Sequence, residues 1–251
     1  MKCPAVAIFD LDDTLAESFR TPPPEILEGL QKLLELMPVA IMTGTGFQKI
    51  EDRFLPVLTA HPRSDRLYIF PASSGQAYIR KNGSWEQVYD LALTESERAH
   101  IKAVVTETVN ASELRDTPHY GDQIVDRGAQ VAYTHVGVDA SKDVKDSWDT
   151  DGSKRRSLWN TLKQKLPEFE ILMGGATTID ITRKGINKSY GVKWLSERLS
   201  IPPAEMLYVG DALYPGGNDA VVIPTGIQTL SVSGPDETKV IIKEILAACS
   251  A

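Results

Sequence analysis

"IFDLDDTL", residues 8–15, sets three aspartates directly after "AVAIF", an apolar run that reads as a short buried strand. Ionised carboxylates at the end of a buried strand are costly when unpaired, so a cation or a reaction must compensate them. Residues two apart on an extended chain point to the same side, so Asp10 and Asp12 can face one reacting group. Asp13, of the opposite parity, is expected to point away. In an open parallel sheet, ligands bind outside the carboxyl ends of the strands, which is where this pair stands.

Outward from that strand, strand-like and helix-like segments alternate. After "TPPP", the residues Ile26, Leu27, Leu30, Leu33, Leu34 and Met37 recur at helical spacing, and "PVAIM" is a second buried strand. Phe47, Ile50, Phe54 and Leu58 mark a second helical stripe, and "LYIF" a third strand. Alternation of this kind predicts βαβ units and a parallel sheet. The pattern then changes: "AYIRKNGSWEQVY" alternates around an Asn82-Gly83 turn, and Thr94 and Glu97 have capping-box spacing before a helix. "AQVAYTHVG", a charged helix near "SKRRSLWNTLKQKL", and the hairpin "FEILMGGATTIDIT" follow. From about residue 185 the first pattern returns, with a helix through Trp194 and Leu199, the strands "MLYVG" and "GIQTLSV", and a last helix carrying Val240, Ile241, Ile245 and Leu246. The expectation is an α/β protein with a discontinuous core, residues 1–80 and 185–251, and an α+β insert at 81–184.

Composition bounds the partners. The 251 residues are 42% hydrophobic, enough for a packed core, and 34 acidic against 27 basic residues give a net charge of −7. That balance argues against a nucleic-acid backbone as the main partner. Cys3 and Cys249 are too few for a disulfide framework and are expected to be free thiols in a reducing compartment. The N-terminal apolar run stops at Asp10, short of a secretory core, and nowhere do about 18 apolar residues follow one another, so a soluble cytoplasmic protein without a membrane partner is expected.

Further polar residues stand at the predicted strand ends: Thr43 in "IMTGTG", and Asp211, Asn218 and Asp219 in "YVGDALYPGGND", with Lys184 or Lys188 of "RKGINKSYG" able to bring positive charge. Clustered hard oxygen ligands without paired cysteines favour Mg²⁺. A phosphate ester accounts for the rest. An aspartate can attack phosphorus to give an aspartyl-phosphate, and a second carboxylate can protonate the leaving oxygen and later deprotonate water.

Taken together and in this order, "DLDDT", "IMTG", "NKS" and "GDALYPGGND" resemble the four motifs of the haloacid dehalogenase superfamily. The resemblance implies a Rossmann-like, doubly wound parallel core and an insert acting as an α/β cap. It implies Asp10 as nucleophile, Asp12 as acid/base, Thr43 and Lys188 as phosphoryl ligands, and Asp10, Asp12 (through its carbonyl) and Asp211 as the Mg²⁺ site. Within the large-cap branch, "PGGND", "RGAQVAYTHVG" and "MGGATTID" are similar to the eukaryotic-type phosphomannomutases. Gly44 and Asn218 in the core, and Arg127, Thr178 and Asp180 in the insert, are then the candidate substrate contacts. Three positions depart from the mutase pattern: Val138 stands where a second cap arginine is expected, Phe19 where an arginine follows the first motif (Arg20 comes one place late), and Ser73-Ser74 replace an asparagine-glycine pair. Cap arginines grip a second phosphate during mutase turnover, so these departures favour an Mg²⁺-dependent phosphatase of small phosphorylated sugars over a phosphomannomutase. A catalytically silent module is opposed by the intact Asp10 and Asp12. His119 and His135 are expected to be bystanders, and Lys154, Arg155 and Arg156 the solvated face of a cap helix.

Overall fold

Strand β1 (Val6–Phe9) is buried at all four positions, as a strand covered on both faces must be. The computed structural model of the chain describes residues 2–17 and 20–250, without the side chain of residue 53. Phe19, one of the three departures, therefore lies outside the described residues. β1 leads to α1 (Pro24–Leu36), β2 (Val39–Met42), α2 (Phe47–Arg53), α3 (Leu55–Thr59) and β3 (Leu67–Phe70). The single helical stripe expected across 47–58 is two helices, because Pro56 in the first turn of α3 has no N–H to continue α2. Next come the hairpin β4 (Gln76–Lys81) and β5 (Ser84–Asp90), α4 (Glu95–Asn110), β6 (Ile124–Asp126), β7 (Gln130–Thr134), α5 (Lys142–Trp148), α6 (Ser153–Lys165), β8 (Phe169–Met173) and β9 (Thr178–Arg183). α7 (Lys188–Leu199), β10 (Met206–Gly210), β11 (Gln228–Ser231) and α8 (Pro235–Ser250) complete the chain.

The larger sheet has the order β11-β10-β1-β2-β3-β4-β5. Its first five strands are parallel, and β4 and β5 add antiparallel to the edge of β3. The hairpin around Asn82-Gly83, expected beyond a boundary at residue 81, thus extends the core sheet. One face packs on α1, α2, α3 and α8 through residues such as Leu30, Ile50, Leu58 and Ile245; the other packs on α7 through Val192 and Leu195. The alternation predicted the parallel sheet, and helices on both faces make it the doubly wound α/β arrangement that the resemblance implied. The smaller sheet, β6-β7-β9-β8, is antiparallel. It buries Val131, Ile179 and Ile181 against Ile101 and Val105 of α4 and Leu158 and Leu162 of α6. The capping box at α4 forms as read: Glu97 N donates to Thr94 Oγ1 and Thr94 N to the Glu97 carboxylate.

The two segments joining the sheets run side by side, tied by Arg183, which donates to Glu97 Oε2 (3.0 Å) and to the Ala92 carbonyl (2.7 Å). Cys3 and Cys249 are joined in a disulfide with a Cα–Cα separation of 4.8 Å, so the free-thiol expectation is corrected. The cause is topological: α8 runs back after the parallel strand β11 and ends beside the segment that enters β1, a proximity invisible across a separation of 246 residues. No helix among the described residues is long and apolar enough to cross a membrane.

Candidate active site

β1 and β10 end side by side, and their carboxyl ends deliver Asp10 and Asp211. Asp10 is buried, its N–H donating to the Val209 carbonyl at 2.9 Å. Lys188, the first residue of α7, is as buried as the core: its Nζ donates to Asp10 Oδ1 at 2.5 Å and to Asp219 Oδ1 at 2.6 Å. Asp219 is held further by the Tyr208 hydroxyl (2.5 Å) and by Ala212 N (3.0 Å). Asp211 accepts from Thr14 Oγ1, which in turn accepts from the Asp211 N–H. Lys184, the alternative cation, bonds instead to the Phe169 carbonyl, which leaves Lys188 as the lysine at this centre.

Charge at this centre does not balance. Burial pushes the Asp10 carboxyl well above the usual carboxylate range; Lys188 opposes this, and Asp219, Asp211 and Asp12 reinforce it. Asp211 is raised to about 6, by burial first and the Asp219 charge second. For Lys188, burial pulls the pKa down, but Asp10 and Asp219 outweigh it and the ammonium is held. One ammonium thus faces three carboxylates. Ligand oxygens of Asp10, Asp211 and Asp219 lie within 4.8 Å of one another. An all-oxygen donor set with uncompensated negative charge fits a hard divalent cation. The carboxylate cluster contains Asp219, beyond the set that the resemblance implied, and does not contain the Asp12 side chain.

The loop after β2 supplies hydroxyls. Asp12 Oδ2 accepts from Thr45 Oγ1 (3.1 Å) and from Thr43 Oγ1 (3.4 Å), and Thr45 N donates to Thr43 Oγ1. A turn at Ala72, Ser73 and Ser74, all three with positive φ (50°, 55° and 66°), holds this loop from behind: Ser73 N donates to the Thr43 carbonyl and Ala72 N to that of Thr45. Three consecutive non-glycine residues in the left-handed region are strained, and strain of this kind persists only where surroundings over-determine it.

Across a cleft of about 380 Å³ the smaller sheet faces these groups, with Arg127, Thr178 and Asp180 lining the cleft together with Gly44 and Asn218. Every candidate site residue therefore borders this cleft except Lys188, which sits behind Asp10. Asp180 is buried, 4.0 Å from Arg127 Nη1, and burial raises its carboxyl to about 6, against the pull of Arg127 and Lys188. A Cβ at Gly44 would stand 2.9 Å from Asp180 Oδ2, so a larger residue there would have to displace that carboxylate. Arg127 Nη1 donates to the Gly44 carbonyl (2.5 Å) and to Gln130 Oε1 (2.6 Å).

Several residues that the sequence did not place at the site also line the cleft. Asp13 does not point away: its backbone takes the left-handed region (φ 56°), breaking the strand parity, and its carboxylate lies 3.9 Å from Lys142 Nζ. Lys145 is buried, and its ammonium donates to the carbonyl of Val138 at 3.0 Å. Arg155, expected on a solvated face, is folded inward, where it lies 3.4 Å from Asp149 and donates to the Gly174 and Gly175 carbonyls. Arg20, by contrast, is an exposed partner of Glu17. Lys142 and Lys145 share a helix face at i, i+3, a spacing that was there to be read. The inward turn of Arg155 depends on Asp149, which accepts the Lys154 and Arg155 N–H groups at the start of α6. His135 is buried in the smaller unit, bonded to the Tyr133 hydroxyl and stacked on Trp148, and does not line the cleft.

The family model described as eukaryotic phosphomannomutase matches residues 26–248. Similar curated proteins include a phosphomannomutase of Spinacia oleracea, 24% identical over 241 residues covering 93% of this chain and 92% of the relative, and one of Dendrobium officinale, 26% identical over 243 residues covering 93% and 90%. Among solved structures, an IMP-bound IMP-nucleotidase of Plasmodium falciparum superposes with a TM-score of 0.72 at 18% identity, covering 98% of this chain and 67% of that one. The C-terminal domain of a C. albicans trehalose-6-phosphate phosphatase gives 0.67 at 14% identity, covering 96% and 92%.

Proposed function

The chain belongs to the eukaryotic phosphomannomutase family, and from that premise we propose that it is an enzyme moving the phosphoryl group of a small phosphorylated sugar onto Asp10 and from there to water. The observation that carries this is Asp10 at the carboxyl end of β1 with the Lys188 ammonium 2.5 Å away and a hydroxyl-rich loop beside it. In this reading the Asp10 carboxylate attacks phosphorus through the oxygen not bound to Lys188, Thr43 holds a phosphoryl oxygen, and Lys188, behind Asp10, orients that carboxylate and offsets the phosphoryl charge brought up to it. Asp12, oriented by the Thr43 and Thr45 hydroxyls, gives a proton to the leaving oxygen and then takes one from water. Mg²⁺ held by Asp10, Asp211 and the Asp12 carbonyl, with Asp219 beside it, would screen the anionic charge that gathers there. Arg127, Thr178, Asp180, Gly44 and Asn218 would orient the sugar. Residues from about 91 to 184 would act as the specificity cap, with the β4–β5 hairpin belonging to the core.

Hydrolysis is the main reading because Val138 brings no charge where mutases carry an arginine. A second reading, interconversion of mannose 1-phosphate and mannose 6-phosphate, draws support from the family itself and from Lys142, Lys145 and Arg155, which bring positive charge to the cap side of the cleft. Phosphorus NMR of the sugar phosphates with added Mg²⁺ and a hexose bisphosphate separates the two. Net inorganic phosphate with little isomer supports hydrolysis; isomer formation outpacing release makes the mutase the function. A cytoplasmic location suits such a metabolite, whereas the Cys3–Cys249 bond weighs the other way; thiol titration of protein taken directly from cells decides it.

A further inference from the structure

Gln130, the first residue of β7, is completely buried, yet neither the fold nor the proposed chemistry uses its amide. A buried polar side chain is retained cheaply only when its hydrogen bonds are made. Both ends of this one are engaged, and each partner lies at the junction between the two sheets. Its Nε2 donates to Ser73 Oγ of the left-handed turn at 2.9 Å, and its Oε1 accepts from Arg127 Nη1 at 2.6 Å. Arg127 continues to the Gly44 carbonyl, and Ser73 N to the Thr43 carbonyl at 2.9 Å. These bonds close a ring that runs from the Thr43–Gly44 loop through the strained turn, across to the smaller sheet, and back. The short turn joining β6 to β7 is also fixed, with Arg127 N bonded to the Gln130 carbonyl at 2.8 Å. The Arg127 guanidinium is therefore held by its own hairpin and by the core loop together.

We propose that Gln130, braced on Ser73, is a positioning residue that aims Arg127 into the cleft and locks the smaller sheet onto the Thr43–Thr45 loop. The strained turn gains a reason in this arrangement. Extended or right-handed backbone at residues 72–74 would withdraw the Ser73 hydroxyl and N–H from their two partners. The role of Arg127 as a substrate contact rests on the proposed function; the mechanical role of the ring does not.

A double-mutant cycle on the full chain tests it. Gln130→Leu should lower kcat/KM for sugar-phosphate hydrolysis roughly tenfold to a hundredfold, the size of one lost charge-assisted hydrogen bond. In an Arg127→Ala background the same change should cost less than about twofold, because a residue acting through Arg127 has nothing left to aim. Equal losses in both backgrounds, or no loss, would overturn the proposal. Ser73→Gly provides the second variant, since glycine suits φ 55° but cannot accept from Gln130. It should lose activity at little net change in thermal stability, because relief of the left-handed strain offsets the unpaired Gln130 amide, and full activity in this variant would remove the brace. Amide hydrogen exchange at residues 43–46 should quicken in Gln130→Leu, whatever the activity. If the wild type releases no phosphate, the proposed reaction fails, yet unchanged exchange would independently sink the brace and faster exchange would sustain it.

Discussion

Asp180→Asn is expected to stabilise the protein at neutral pH while removing activity. Asp180 is 3% exposed, and its carboxyl is raised from 3.8 to about 6, chiefly by burial, with Asp12 adding to the rise and Arg127 and Lys188 opposing it. The sign follows from proton binding. Between about pH 4 and pH 6 the native state holds a proton that the unfolded state has released, so stability falls as pH rises through that window and is level above it. Two pKa units at about 1.4 kcal/mol each give a cost near 3 kcal/mol for keeping Asp180 ionised at pH 7.5. Asparagine carries no such cost. Part of the gain is returned because Arg127, 4.0 Å away, loses an anionic neighbour. A net gain of about 1–3 kcal/mol corresponds to roughly 2–10 °C in Tm for a chain of this size. The assay is urea unfolding of both proteins from pH 4 to pH 8, read as the difference between them, so that other titrating groups cancel. The gain should be absent near pH 4 and grow through pH 6. A variant less stable at pH 7.5, or a difference that does not depend on pH, would refute the claim that this carboxylate is held ionised against its surroundings.

Asp10→Asn should fold normally and lose turnover, since an amide of the same shape is a poor nucleophile; residual phosphate release above about a hundredth of wild type would exclude the covalent route. Asp211→Ala should weaken Mg²⁺ binding in calorimetry, and unchanged affinity would remove Asp211 from the metal set. His135 should make the protein acid-labile. Burial first, then Lys154 and His119, lower its imidazole from 6.5 to about 4, so the unfolded state binds the extra proton between those values and stability falls as pH drops from 6.5 toward 4. The loss is at most about 3 kcal/mol, and a His135→Gln variant with an unchanged acid limb in chemical unfolding would show that another group governs it. Reducing Cys3–Cys249, or replacing both cysteines by serine, should lower stability by up to about 5 kcal/mol on the chain-entropy estimate for a loop of this length and leave activity intact; an unchanged unfolding midpoint would show that the bond constrains nothing.

The parts of the fold that were legible in the sequence are those a local pattern records. "AVAIF", "PVAIM" and "MLYVG" are uninterrupted apolar runs because both faces of the parallel strands are covered, and β1, β2 and β10 occur where those runs stand. Thr94 and Glu97 cap a helix through bonds that span three residues. The illegible parts depend on which distant segments meet. The β4–β5 hairpin reads the same whether it joins the core sheet or the insert, since its turn chemistry says nothing about which edge it extends. The two cysteines meet only because α8 returns to the start of β1. Asp13 broke its expected parity because the tight turn after β1, with Asp13 N bonded to the Ala16 carbonyl at 2.7 Å, ends the extended conformation on which the parity argument stood.

The same distinction bears on the cap cations. Position 138 brings no guanidinium, yet Val138 contributes its carbonyl, to which the Lys145 ammonium is bound. Burial lowers the pKa of Lys145, with Lys49 adding to the effect and Asp139 and Asp12 opposing it. An ammonium is a compact charge on a flexible stem, whereas a guanidinium presents a planar fork fitted to two phosphate oxygens. Positive charge is therefore kept beside position 138, while a further guanidinium fork, next to those of Arg127 and Arg155, is given up there. An anionic group would be attracted as strongly but oriented less strictly, which suits a phosphatase that binds its substrate in one orientation. A mutase that must seat a bisphosphate in two orientations depends more on the lost fork. Lys145→Arg separates these demands: it should leave hydrolysis nearly unchanged and raise the fraction of turnover that ends as isomer. A hydrolysis rate that collapses in that variant would show that the ammonium itself, and not merely its charge, is fitted to the substrate.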